Sequence, residues 1–320
     1  MFISILLIAL GFALLIKGAD WLVDGASALA RKKHISDLAI GLTIVAFGTS
    51  APELVVNSFA SLEGHSDIVF GNIIGSNIFN LFAILGIVGL ISPIVVQSST
   101  VWKEIPISLF AAVILFFLCN NFFIQEPGLL SRWDGLVLFI FFSLFLFYVY
   151  KQMKTGESPQ TEGNEKKADM SNVKIWIFII IGLAGLIIGG KLVVDNAVKI
   201  ATILGISEKI IALTIVAAGT SLPELVTSVV AAVKKNSDIA IGNIIGSNIF
   251  NIFFILSISS FLRPISYNPM FNIDLYILAG GTVFLFIAMF TGKKKRLDRW
   301  EAALLLAGYI IYTLYLIGKE

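Results

Sequence analysis

Two acidic residues stand in the middle of apolar runs. Glu53 lies in 48-GTSAPELV-55 and Glu224 in 219-GTSLPELV-226. A carboxylate surrounded by hydrocarbon is costly, so such a group lines a polar cavity or serves a pathway. The plainer reading, a protonated glutamate bonded to a neighbouring helix, loses force when the same neighbours recur in a second copy. Pro52 and Pro223 each withhold one N–H and so release the carbonyl four residues back, at Gly48 and Gly219. Carbonyls freed at membrane depth are tolerated only inside protein or against a wet cavity. Each GTSxPE segment therefore reads as a broken helix that offers carbonyl oxygens, two hydroxyls and a carboxylate together. Hard oxygens of this kind suit Na⁺ and Ca²⁺. The soft and nitrogen ligands of transition metals are missing.

A second set of oxygens follows each acid. Asn72, Ser76 and Asn80 recur every four residues in 71-GNIIGSNIFN-80, and Asn243, Ser247 and Asn251 do so in 242-GNIIGSNIFN-251. Residues four apart share a helical face. Gly71 and Gly75 form a G-x-x-x-G pair that allows close helix approach. The glycines are expected to pack this helix on the GTSxPE helix, with the Ser and Asn oxygens facing the cations. Asn77 and Asn248 lie about 100° around the helix and are assigned to packing or capping.

These segments need a scaffold, and the composition says which kind. The chain has 320 residues, of which 57% are hydrophobic and 14% charged, with a mean hydropathy of +0.92. A soluble domain carries about 25% charged residues. The apolar residues fall into ten runs of membrane-spanning length, at 2–23, 37–61, 69–91, 105–124, 134–151, 173–193, 208–233, 240–262, 272–291 and 299–317. The expected fold class is an all-α membrane protein with ten transmembrane helices. The N-terminal run has no basic n-region and no small-x-small cleavage site, so it is read as a span rather than a signal peptide. The single cysteine, Cys119, makes no internal disulfide. His34 and His65 fall between spans, and no Cys/His metal cluster is present.

Residues 35–82 align without a gap on 206–253 at a constant offset of 171, with 30 of 48 positions identical. Five spans separate equivalent points, an odd number, so the two copies must cross the membrane in opposite directions. Inverted repeats with a site where they meet are a transporter architecture. The expected organisation is a first five-helix repeat over 1–151, a flexible polar linker over 152–172 and a second five-helix repeat over 173–320. An outside N-terminus puts 16 of the 23 Lys and Arg residues on the cytoplasmic side. The positive-inside rule then places both termini outside and the linker in the cytoplasm. The run 293-KKKR-296 serves as a topology anchor in this arrangement, and Glu63-Gly64 changes to Lys234-Lys235 in the second copy, as opposite sides require.

Two GTSxPE segments, each followed by GNIIGSNIFN, resemble the alpha-repeats of the sodium/calcium exchangers of the cation/calcium antiporter superfamily. The resemblance covers most of the chain, and the short linker resembles the prokaryotic members. It implies that Glu53 and Glu224 bind Ca²⁺ and share in binding Na⁺. It implies hydroxyl or carbonyl ligands at Thr49, Ser50, Thr220 and Ser221, carbonyls from Ala46 and Ala217, and further ligands at Ser76, Ser247, Asn80 and Asn251. Potassium-dependent relatives carry an aspartate where this chain has Asn251. The resemblance thus implies a potassium-independent exchanger with two carboxylates at its site. Their charge of −2 matches one Ca²⁺, whereas three Na⁺ leave the site at +1.

The expected function is Na⁺/Ca²⁺ antiport in the cell membrane, with no prosthetic group, nucleic acid or protein partner. Proton/calcium exchange is the alternative within the class, and the GTSxPE pattern argues against it. An intramembrane enzyme would need aspartates in a GxGD-like setting, or phosphate motifs with basic residues, and neither appears. A cation channel fits broken helices in inverted repeats less well than a transporter does.

Overall fold

The structure, a computed structural model, describes residues 2–120, 128–155, 170–204, 217–292 and 294–318. It is almost entirely helical, as the long apolar runs require, because a helix satisfies its own backbone polar groups away from water. In chain order the helices are α1 (Phe2–Lys33), α2 (Asp37–Thr49), α3 (Ala51–Glu63), α4 (Ser66–Ile91), α5 (Thr100–Asn120) and α6 (Arg132–Thr155). The second half supplies α7 (Asn172–Ile203), α8 (Ala217–Thr220), α9 (Leu222–Val233), α10 (Ser237–Leu262), α11 (Pro269–Ala288) and α12 (Arg299–Gly318).

Among the described residues seven helices, α1, α4, α5, α6, α7, α10 and α11, are long and apolar enough to cross a membrane. The bent pair α2 and α3 makes an eighth if counted as one span. Residues 208–216 of the expected seventh span lie outside the described residues, as does most of the expected linker. Tryptophans 102, 133, 176 and 300 sit exposed near helix starts, where amphipathic rings suit a membrane boundary.

Two expected spans prove too short. α1 continues to Lys33 rather than ending near residue 23, and α7 runs on to Ile203 rather than 193. Two acids along α1, one inside the expected span and one just past it, have a partner across the bundle. Lys234, at the end of α9, bonds Asp20 at 2.6 Å and Asp24 at 3.0 Å, so the acids on α1 share a cation from the second half.

α1 and α7 cross backbone to backbone. Gly11 and Gly18, seven residues apart, meet Gly189 and Gly182, and a Cβ built on Gly18 would lie 2.7 Å from the Gly182 carbonyl oxygen. Removing Cβ atoms is what lets transmembrane helices approach so closely. α4 and α10 lie at the centre, and α10 is almost wholly enclosed. Two short antiparallel pairs tie the connections down: Ile94–Val95 pairs with Arg296–Leu297, and Leu129–Leu130 with Ile265–Ser266.

The bounds of α4 and α10 recur at the offset read from the sequence. α4 contains a π-helical turn at Phe79–Ile84, and α10 has one at Phe250–Ile255, each 171 residues from its counterpart. A π-turn inserted in an α-helix is rare and accompanies functional sites.

Candidate cation site

The broken helices come first. Between α2 and α3 the chain bends by 47° at Ser50, whose φ of −81° and ψ of 8° leave the helical region. Ser221 breaks α8 from α9 with nearly the same values, −90° and 9°. Pro52 and Pro223 occupy the first turn of the following helix, where a missing N–H costs nothing. The break therefore falls before each proline. Glu53 and Glu224 stand in the first turns of α3 and α9, where the helix dipole favours a negative charge. The preceding half-helices end in carbonyls that favour a cation. The Ala46 carbonyl accepts the Ser50 N–H at 3.0 Å and the Thr49 hydroxyl at 3.3 Å. Ala217 opens α8.

The two acids exchange partners between the halves. Ser50 Oγ donates to Glu224 Oε1 at 2.9 Å, and Ser221 Oγ donates to Glu53 Oε1 at 3.1 Å. Each GTSxPE segment thus binds the acid of the other, which brings Glu53 and Glu224 into one polar cluster although 171 residues separate them. Both are fully buried, at 1% and 0% exposure.

The central helices close the cluster by the same exchange. Thr49 Oγ1 donates to Asn243 Oδ1 at 3.0 Å, and Thr220 Oγ1 to Asn72 Oδ1 at 3.3 Å. Asn243 Nδ2 donates back to the Glu224 carbonyl at 3.3 Å and to Ser228 Oγ at 3.0 Å, which seats α10 against the first turn of α9. Ser247 and Asn251 follow at one-turn intervals, as Ser76 and Asn80 follow Asn72. α4 and α10 also bond each other directly. Asn77 and Asn248 each donate Nδ2 to the other's carbonyl at 3.3 Å. Their Oδ1 atoms accept from Asn251 at 2.8 Å and from Asn80 at 3.1 Å.

This network leaves a defined set of atoms unused. Glu53 Oε2, Glu224 Oε2, Ser76 Oγ, Ser247 Oγ, Asn80 Oδ1 and Asn251 Oδ1 are buried without a hydrogen-bond partner, and one nitrogen of the network, Asn72 Nδ2, is unpartnered too. The six oxygens are three equivalent pairs. An unmet buried polar group costs about 1–3 kcal/mol, more if charged. Six together, two of them carboxylate, form a set that a hard cation would satisfy. The fixed amides add to this. Because Asn248 and Asn77 take the NH₂ groups of Asn80 and Asn251, the carbonyl ends of those amides remain as acceptors.

The structure brings Glu53, Glu224, Ser50, Ser221, Thr49 and Thr220 together through these bonds, and puts Ser76, Ser247, Asn80 and Asn251 on the helices that adjoin them. The packing assigned to Asn77 and Asn248 takes the form of orienting two of these amides. Asn72 and Asn243, read from sequence as members of the cation-facing row, accept the threonine hydroxyls. Gly242 and Gly246 pack α10 on α2, with built Cβ atoms 2.9 Å from the Leu38 carbonyl and 2.8 Å from Ala46. Gly71 meets the Phe271 ring at 3.8 Å, and residues 209–216, the equivalents of 38–45, lie outside those described.

Comparison with known proteins identifies the family. The sequence profile of the family described as "Sodium/calcium exchanger protein" matches residues 3–151 and 174–318. An uncharacterized membrane protein of Methanocaldococcus jannaschii, MJ0091, is 38% identical, with 94% of each chain covered. The sodium/calcium exchanger MaX1 of Methanosarcina acetivorans is 33% identical, with 98% of each covered. A solved structure of the sodium-calcium exchanger NCX_Mj, soaked with zero Na⁺ and Ca²⁺, superposes with a TM-score of 0.82 at 35% identity over 98% of each chain.

Proposed function

Because this chain belongs to the sodium/calcium exchanger protein family, we propose that it is a membrane antiporter that exchanges Na⁺ for Ca²⁺ at the cluster around Glu53 and Glu224. The observation that carries this reading is the set of six buried, unpartnered oxygens in equivalent pairs, held in place by bonds that cross between the halves. Glu53 and Glu224 supply the charge. Ser76, Ser247, Asn80 and Asn251 supply neutral oxygens. Thr49, Thr220, Ser50 and Ser221 add lone pairs not used in donating, and Ala46 and Ala217 add carbonyls at the breaks.

Coupling follows from charge. An empty site with two ionised carboxylates is too costly to pass through a closed, dry state. Either Ca²⁺ or several Na⁺ neutralise it, so only loaded states switch between the two faces. The halves, 1–151 and 173–320, act as inverted five-helix repeats around the site in a ten-span bundle. Both termini then lie outside and the linker over 152–172 inside the cell membrane. The recurrence of helix bounds and π-turns at one offset supports this arrangement.

Asn80 and Asn251 are neutral, so the site has no third carboxylate to balance a co-bound K⁺. Exchange is therefore expected to need no K⁺, and to move net charge if more than two Na⁺ replace one Ca²⁺. The test is ⁴⁵Ca²⁺ uptake into vesicles containing the purified protein, driven in turn by outward Na⁺, K⁺ and H⁺ gradients, with the voltage clamped by ionophores. Uptake is expected with Na⁺ alone and should change with voltage. Uptake driven by H⁺ but not Na⁺ would replace this reading with proton exchange, and flux without any counter-ion would replace it with a channel.

A further inference from the structure

Three buried oxygens on one side of the cluster are not used by the reading above. Asn57 and Ser61 follow Glu53 on α3 at intervals of four residues. The three side chains share one face and climb about 12 Å from the carboxylate toward the Gly64 end of the helix. Their exposures are 1%, 0% and 3% for Glu53, Asn57 and Ser61. The Asn57 amide donates to the Glu53 carbonyl at 2.7 Å, which leaves Oδ1 as its acceptor. That atom has no partner, and neither has Ser61 Oγ.

A third such oxygen lies on α10, which packs on α3. Ser259 is fully buried and its Oγ is unpartnered. Arg263, one turn beyond it, reaches the Leu62 carbonyl at 3.5 Å and lies against Gly64. The end of α10 thus lies beside the end of α3.

The other half lacks this row. At the offset of 171 the equivalents of Asn57, Ser61 and Ser259 are Ser228, Ala232 and Val88. Ser228 Oγ already accepts from Asn243, and the other two carry no polar atom. α9 keeps one unpartnered hydroxyl, Thr227 Oγ1, within a turn of Glu224. Elsewhere the halves are closely alike, and the apolar version of these positions fits the same fold. The polar version leaves oxygens unmet at about 1–3 kcal/mol each, so it needs an occupant.

We infer that Asn57, Ser61 and Ser259 form a one-sided ladder of neutral oxygens that passes partly hydrated Na⁺ and Ca²⁺ between the carboxylate pair and the Gly64 end of the bundle. The inference rests on the exchange function proposed above. Uncharged oxygens about 6 Å apart along α3 ease dehydration without holding the ion, as a route must if ions are to leave it. Ca²⁺ takes about 6–8 oxygens, so three ligands leave it most of its water until it reaches the acids.

The test grafts the residues of one half onto the other. Ser61→Ala with Ser259→Val removes two oxygens, while Asn57→Ser alone keeps an oxygen at its level. Each substitution places a side chain that the equivalent position already accommodates. Ca²⁺ affinity is read by calorimetry in detergent and Na⁺-driven ⁴⁵Ca²⁺ exchange by initial rates in vesicles. The double variant should keep its affinity and lose about thirtyfold in rate, since two lost contacts of about 1 kcal/mol each raise the barrier by about 2 kcal/mol. Asn57→Ser should retain most of its rate. An unchanged rate in the double variant overturns the ladder and leaves the function standing. A fall in affinity that matches the fall in rate assigns these residues to the main site instead. Unmodified protein that binds Ca²⁺ but exchanges none for Na⁺ overturns the function and the ladder with it.

Discussion

Glu53→Gln isolates the charge on which the proposed exchange depends. Glutamine has nearly the same shape, and its amide oxygen can still accept the Ser221 hydroxyl now held at 3.1 Å. The crossing between halves should therefore survive and the protein should fold. The net change is one negative charge at a residue only 1% exposed, where solvent screens little. A unit charge pair about 4 Å apart is worth about 4 kcal/mol at an effective dielectric of 20, and twice that gross for a divalent ion. Part of this is offset because a neutral oxygen remains in the same place. A net loss of about 4 kcal/mol corresponds to about a thousandfold in Kd. Na⁺ should lose less, because it carries half the charge. Calorimetry of the detergent-purified variant gives the Ca²⁺ affinity, and vesicle uptake gives the flux. Because each acid takes its hydroxyl from the opposite half, Glu224→Gln should match Glu53→Gln within a factor of a few. A Glu53→Gln protein that binds Ca²⁺ within tenfold of the unmodified chain, or exchanges it at a near-native rate, would refute the charge argument.

Other outcomes follow from particular contacts. With Cys119 replaced by serine, a cysteine at Gly64 should react only with reagent outside the cell and one at Lys235 only from inside; labelling from one common side would break the inverted arrangement. Asn248→Ala removes the oxygen that holds the Asn80 amide at 3.1 Å. The loss should be about 1–3 kcal/mol of stability, because the buried Asn80 amide is left unpartnered, with slower exchange at unchanged site charge, and thermal melting with vesicle rates checks both. Gly18→Val puts a Cβ 2.7 Å from the Gly182 carbonyl oxygen and should destabilise the crossing of α1 and α7 by about 1–3 kcal/mol. An unchanged melting temperature would mean that the two helices are not held at this distance.

The chemistry was more legible in the sequence than the limits of the helices. Glu53 and Glu224 could be picked out because an acid in a long apolar run violates the pattern around it, and the violation occurs in both copies. The break beside each proline was legible because a missing N–H has a local effect. Helix ends were harder. Asp20 and Asp24 are acids in or beside the expected first span, and only their distance to Lys234, over two hundred residues away in the chain, shows how α1 continues through them. The roles of Asn77 and Asn248 were half visible. Their position around the helix excluded them from the cation-facing row, but the partners they orient lie across the molecule. The π-turns left no mark in the sequence, because the residues of Phe79–Ile84 and Phe250–Ile255 are ordinary membrane residues and the extra unit is a matter of hydrogen-bond spacing.

Those π-turns also carry a record of how the molecule arose. A residue added to an α-helix rotates everything beyond it by about 100° unless the helix absorbs it by widening. In α4 and α10 the widening occurs at the same place in both copies, beside Asn80 and Asn251. Two separate insertions at one register are a less economical history than one insertion followed by a copying of the whole segment. The widened turn, and with it the phase that lets asparagine face inward while Leu85 and Leu256 keep to the core, is then older than the duplication.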